Sequence, residues 1–331
     1  MCFIRLNPEQ AHLQGKALTT RQWLDIAAEA KRMGTITLEL TGGEAITRKD
    51  FIELYTGFIK MGYLIHLRTN GYSIDHKLLD ILTEYKPRKI SITLYGASDE
   101  TYFKICGIPD GYTTVTQNIL LLKKAGFNLH LTMTVTKDNV NDIEDIDRWA
   151  TENGMSVTPF GALITPIRGA KRSVSHLKIE YPKEEFELPD ELIHHVHYEV
   201  SDRDSLENPF WMCRGFGAQF CISWDGRMTV CNTFTNVWKN VLSDGVESAY
   251  HDLYRDLRAL KRPQDCYACK YIEFCSACPS QLQSATGDAE LTCDNVCKYA
   301  RRKFRYYLQM QINRNENTHN TIDNRCEFGE D

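Results

Sequence analysis

Ten of the twelve cysteines in this chain fall after residue 212, and their spacing is that of metal ligands. The tightest group is CYACKYIEFCSAC, in which Cys266, Cys269, Cys275 and Cys278 read C-x2-C-x5-C-x2-C within thirteen residues. Each C-x2-C turn directs two sulfurs to one side, so four thiolates can converge on one or two metal centres. Upstream, CRGFGAQFCISWDGRMTVC supplies Cys213, Cys221 and Cys231, with Asp225-Gly226 suited to a hairpin turn between strands. Downstream, CDNVCKYA adds Cys293 and Cys297. Nine sulfurs exceed the needs of one tetrahedral zinc and approach those of two four-cysteine centres. On spacing alone, structural zinc is the commoner occupant of such a run. A redox reading requires a cofactor-binding fold upstream for the sulfurs to serve.

The residues before Cys213 supply elements able to position such chemistry. LTTRQWLDIAAEAKRMG predicts a helix, with Thr19 or Thr20 as N-cap, apolar spacing at Trp23, Ile26 and Ala27, and Gly34 as the stop. TITLEL reads as a short strand running into TGGEA. Alternation then continues through helix RKDFIELYTGFIKMG, strand LIHLRTNG, helix DHKLLDILTEY, strand KISITLYG and helix YTTVTQNILLLKKAG. Strand FNLHLTMTVT, helix DIEDIDRWATENG and a fifth strand in SVTPFGALITP complete it. Five strand–helix alternations imply a parallel sheet with helical crossovers. The loops after the strand ends hold TGGE, TNG, YGAS and TKDN, and these ends are where open α/β sheets and barrels carry their sites.

The charged, irregular residues 167–208 read as a connecting region, and the polar tail 306–331 is predicted to be disordered. The chain has 331 residues, 42% of them hydrophobic and 25% charged, which are ordinary globular values. A net charge of −5 gives no basic face for nucleic acid. No apolar run approaches the roughly 18–20 residues of a membrane span, and no signal peptide opens the chain. A soluble, cytoplasmic protein is therefore expected, with no nucleic-acid or membrane partner and with cysteines that are not structural disulfides.

Taken together, these segments resemble the radical S-adenosylmethionine (SAM) superfamily with a C-terminal SPASM-type auxiliary-cluster domain, from residue 2 to about residue 305. The resemblance implies that Gly42-Gly43-Glu44 is the GGE loop that holds the methionine amino group of SAM. Two glycines let backbone approach a ligand closely, and a carboxylate suits an ammonium. Thr93, in ISITLYGAS, matches the hydroxyl residue that contacts the SAM ribose, and Thr134, in LTMTVT, the polar contact of the family's fifth strand. By the same resemblance Cys266, Cys269, Cys275 and Cys297 hold one auxiliary [4Fe–4S] cluster, with Cys293 competing for the last place. Cys213, Cys231 and Cys278 hold a second, with Cys221 or an exogenous ligand as its fourth.

The family's catalytic cluster is held by C-x3-C-x2-C after the first barrel strand. In MCFIRLN, Cys2 matches the third of these cysteines. The expected fold is thus α/β, a partial (βα)6 TIM-like barrel lacking its first strand over residues 1–166, plus a small cysteine-rich α+β SPASM domain over 209–305. With one of three cluster cysteines, the chain as written is expected not to generate a radical by itself. The implied activity is reductive cleavage of SAM for modification of a peptide or protein substrate, with an electron donor such as flavodoxin or ferredoxin. Two other readings stay open: a non-catalytic iron–sulfur relative that binds a peptide or passes electrons, and a zinc-stabilised structural protein.

Overall fold

A computed structural model describes residues 17–160, 163, 174–179, 210, 213, 215–275, 277–305 and 307. Cys2, most of the 167–208 connection and all of the 306–331 tail but Tyr307 lie outside the described residues. The chain forms two compact units, Met1–Ile179 with Phe220–Leu253, and Glu180–Gln219 with Tyr254–Asp331.

The first unit begins with helix α1 (Thr20–Arg32), and Thr19 is its cap. The Thr19 hydroxyl accepts from the Gln22 amide at 3.3 Å, while the Gln22 side chain accepts from the Thr19 amide at 2.9 Å. This reciprocal pair satisfies two donors that a helix start would otherwise leave open. Five strands follow: β1 (Thr37–Leu40), β2 (Leu64–Thr69), β3 (Lys89–Leu94), β4 (Leu129–Thr134) and β5 (Val157–Phe160). They pair in sequence order and all in parallel. Helices α2 (Phe51–Lys60), α3 (His76–Glu84), α4 (Asp99–Cys106), α5 (Gly111–Lys124) and α6 (Ile143–Glu152) make the crossovers. Helix α4 lies outside those that apolar periodicity predicts. Its start is set by Ser98, whose hydroxyl accepts from the Thr101 amide, and its end by Gly107. Of the SVTPFGALITP segment, residues 157–160 are strand, and most of the remainder lies outside the described residues.

Alternate residues decide which face is covered. Ile65 and Leu67 of β2, Ile90, Ile92 and Leu94 of β3, and Leu131 and Met133 of β4 are buried with Leu54, Leu82, Val115, Ile119 and Ile146 of the helices. The intervening positions are polar: Glu39, His66, Arg68, Ser91, Thr93, His130, Thr132 and Thr134. Among the described residues the helices pack against the apolar face, and the opposite face carries polar side chains.

The same unit holds a three-stranded antiparallel sheet, β6 (Cys221–Ile222), β7 (Arg227–Thr229) and β8 (Lys239–Asn240). The expected Asp225-Gly226 turn joins the first two, with Gly226 at φ +86°. Short helix α7 (Val241–Asp244) follows, and then helix α8 (Val246–Arg258), whose residues from Tyr254 onward belong to the second unit.

In the second unit, tight turns at Gln264–Cys266 and Ile272–Phe274 carry the cysteines. Helix α9 (Pro279–Thr286) starts from Cys278 and stops at Gly287, and residues 294–305 are helical. Phe304 is buried edge-on to Tyr271 and Phe274, ring centroids 5.7 and 5.0 Å away. Among the described residues, no helix is long and apolar enough to cross a membrane.

Candidate functional site

The carboxyl ends of β1, β3 and β4 bring three of the sequence-predicted groups to one edge of the sheet. Gly42-Gly43-Glu44 follows β1, Thr93 precedes the end of β3, and Thr134 ends β4. Gly42 takes φ +147°, a conformation that L side chains rarely adopt. A Cβ on Gly42 or Gly43 would meet no atom within 4 Å, so backbone conformation and not crowding requires glycine at Gly42. The space beside this loop is open.

Glu44 turns back into the sheet. Its carboxylate accepts from the Asn70 amide at 2.6 Å and from the Ile46 amide at 3.5 Å, and the Thr69 hydroxyl also bonds it. These contacts tie the TGGE loop to the TNG loop. Burial nevertheless dominates and pushes the Glu44 carboxyl above its ordinary value, against those hydrogen bonds. A partly desolvated carboxylate of this kind is stabilised by an incoming cation, and an ammonium supplies one. The structure therefore fits the methionine amino group of SAM at this position. The Thr93 hydroxyl lies 3.2 Å from that of Thr132, while the Thr134 carbonyl accepts from Asn139 Nδ2 at 3.0 Å.

The polar face holds a cluster absent from the sequence-predicted site. Glu39 accepts from Arg68 Nε at 2.7 Å and from His66 Nδ1 at 3.0 Å. His66 Nε2 lies 2.8 Å from Ser91 Oγ, which lies 3.4 Å from His130 Nδ1. Register explains the row, because Glu39 pairs with His66 across β1 and β2, and Ser91 pairs with Arg68 and with His130. Burial raises the Glu39 carboxyl, but the bonds and charges of His66 and Arg68 outweigh it and bring the pKa to about 2. Burial, then Lys89, Arg68 and His66, push His130 below its ordinary value. The signal was present in the sequence as LEL, HLR, SIT and HLT, each alternating polar and apolar.

Two sets of thiols fall in different units. In the first, burial above all pushes Cys221 up to about 11, with smaller effects from Cys231 and Glu39. Cys231 Sγ accepts from the Phe234 amide at 3.3 Å. Cys213 and Cys278 belong to the second unit, where Cys278 precedes α9.

Also in the second unit, Cys266, Cys269, Cys275 and Cys297 share one neighbourhood. Burial first, then Cys275, Cys269 and Cys297, push Cys266 up to about 11. Burial, followed by Cys275 and Cys269, likewise raises Cys297. The Ala277 amide donates to Cys275 Sγ at 3.4 Å, as amides do around sulfur-bound metals. Mutual repulsion of this kind is relieved when a metal centre takes the thiolates. As they stand, no three Cys, His, Asp or Glu side chains among the described residues sit close enough to hold a metal ion. The quartet is a shared neighbourhood without a closed coordination shell. Its chemistry fits a four-thiolate centre.

Comparison with known proteins bears on the fold that carries these residues. Residues 1–150 match the Radical SAM superfamily. The chain is 24% identical over 301 residues to the AdoMet-dependent heme synthase of Methanosarcina barkeri, covering 82% of this chain and 85% of that protein. It is 28% identical over 148 residues to the PqqA peptide cyclase of Ruegeria pomeroyi, covering 45% and 40%. Among solved structures it is similar to Streptococcus suis SuiB bound to the precursor peptide SuiA, with TM-score 0.64, 17% identity and coverage of 85% and 69%. It is also similar to anSMEcpe with bound AdoMet, with TM-score 0.62, 16% identity and coverage of 89% and 90%. The structural likenesses establish the α/β partial-barrel fold.

Proposed function

Starting from a chain whose residues 1–150 are a radical SAM domain, and which is by that family an enzyme, we propose that the protein takes part in reductive cleavage of SAM to modify a peptide or protein. When bound, a reduced [4Fe–4S] cluster would supply the one-electron chemistry for cleaving SAM to methionine and a 5′-deoxyadenosyl radical. Cys2 would be one of its protein ligands. Glu44 would hold the SAM amino group, the open backbone at Gly42 and Gly43 would let the methionine approach, and Thr93 and Thr134 would contact the nucleoside. The polar face of the sheet would orient the substrate, and the second unit would carry the auxiliary cluster on Cys266, Cys269, Cys275 and Cys297.

One observation carries this reading: a partly desolvated carboxylate, Glu44, at a strand end beside unobstructed glycine backbone. It is tested by calorimetric titration of SAM into anaerobically loaded protein that carries all three cysteines of C-x3-C-x2-C. Glu44→Ala is expected to weaken SAM binding at least tenfold, about 1.4 kcal/mol, with unchanged iron in the second unit. Equal affinity in the two proteins would reject the role given to Glu44. In the same protein, SAM and dithionite are expected to yield 5′-deoxyadenosine, and stoichiometric zinc without iron or sulfide would overturn the cluster assignment.

A second substrate reading has an observation behind it. The match to the heme synthase extends over 301 residues, where that to the peptide cyclase extends over 148. A tetrapyrrole that consumes 5′-deoxyadenosyl radical where peptides do not would favour it.

A further inference from the structure

Beside the cysteine quartet of the second unit lies a cation that metal ligation leaves unused. Arg262 is 5% exposed. The Cys266 amide donates to the Pro263 carbonyl at 2.9 Å, closing a tight turn that folds Cys266 back next to Arg262. Arg262, Cys266 and Cys275 line one small cavity, whose other walls include the apolar Ile272, Pro279 and Leu282. Burial works against the guanidinium charge, and the groups that favour it are Cys266, Tyr267 and Cys275. In turn its charge favours ionised Cys266 and Cys275.

We propose that Arg262 is a positioning residue that sets the reduction potential of the auxiliary iron–sulfur centre on Cys266, Cys269, Cys275 and Cys297. This rests on the cluster reading above. A one-electron reduction adds one negative charge to the centre and breaks no bond. A fixed positive charge close by stabilises the reduced form and makes the centre easier to reduce. Among the described residues, Lys303 also acts on Cys275 and Arg301 on Cys297. Lys303 is exposed, and Arg301 lies 3.8 Å from Asp294 with its side chain 37% exposed. Water and salt screen both. Arg262 acts in an apolar wall, where the same charge has a larger effect. Arginine also keeps its proton under burial better than lysine does.

The test is a dithionite redox titration of the full, cluster-loaded chain, followed by electron paramagnetic resonance. The signal read is the one indifferent to added SAM and lost in Cys297→Ala. Arg262→Gln is expected to shift the reduction equilibrium at least tenfold toward the oxidised form, about 59 mV more negative for one electron. Arg262→Lys, which keeps the charge, is expected to stay within threefold, and Lys303→Gln within twofold. Equal potentials in Arg262→Gln and the parent protein would overturn the proposal. So would loss of iron from both Arg262 variants, which would make the residue a structural support. Failure of the underlying cluster reading is distinguishable, because it shows as zinc in place of iron in the parent protein before any titration.

Discussion

Glu39→Gln tests the electrostatics of the polar face, and its size follows from the structure. The substitution keeps the shape of the side chain and removes the charge that Arg68 and His66 face at 2.7 and 3.0 Å. Folding lowers the Glu39 pKa from 4.5 to about 2. A lowered carboxyl pKa stabilises the folded state above the unfolded value and loses that contribution as pH falls through the folded one. That lowering corresponds to roughly 3.4 kcal/mol before screening. Since the side chain is 41% exposed, solvent screening reduces this to about 1–2 kcal/mol. Urea unfolding of the two proteins, followed by circular dichroism, is expected to show that difference from pH 7 to about pH 5.5. It is expected to shrink between pH 4.5 and pH 2, where the parent protein binds the proton that the variant cannot. A difference that stays constant down to pH 2.5 would refute the charge argument and place the loss in packing. A difference below about 0.3 kcal/mol at pH 7 would refute the magnitude, since it lies at the bottom of the roughly 0.2–1 kcal/mol that exposed pairs contribute.

Cys297→Ala is expected to remove one cluster's iron, about four atoms per chain, whereas Cys293→Ala is expected to retain it. Iron and sulfide analysis after anaerobic loading decides between them, and the reverse pattern would move the fourth ligand to Cys293. Gly42→Ala is expected to cost about 1 kcal/mol or more through its φ of +147°, with no steric clash to relieve. Gly43→Ala, in open space and at ordinary φ, is expected to cost less, and equal melting temperatures for the two variants would show that the loop relaxes.

The alternation of strands and helices was legible because each element carries a local signal. Capping residues, terminal glycines and periodic apolar positions marked α1, α2, α3, α5 and α6, and the five strands pair in the order in which they occur. Helix α4 was not legible. DETYFKIC buries only Tyr102 and so lacks a sustained apolar stripe, and its Ser98 cap lies in a loop already rich in turn residues. The glycine–glutamate loop was legible as a motif, but its hydrogen bonds to Thr69 and Asn70 were not, because they depend on the neighbouring strand in space. Spacing alone could not choose between Cys293 and Cys297. The first turn of the helix at residues 294–305 carries Cys297 into the field of Cys275 and Cys269, a neighbourhood that depends on the fold and not on spacing.

The polar face was missed for a different reason. A parallel sheet covered by helices on both sides reads as nearly continuous apolar strands. Here every other residue is polar, so an apolar layer laid over this face would strand its donors and acceptors at a cost of about 1–3 kcal/mol each. The row also has a direction. Ionised Glu39 can only accept, so His66 Nδ1 donates to it. When His66 is neutral, its Nε2 accepts from the Ser91 hydroxyl, and Ser91 Oγ accepts in turn from His130 Nδ1. With its pKa lowered, His130 is neutral at pH 7 and keeps Nε2 as an acceptor. The face thus offers acceptor nitrogen at His130 and donor nitrogen at the half-exposed Arg68, and an all-hydrocarbon layer laid on it would leave both unpaired.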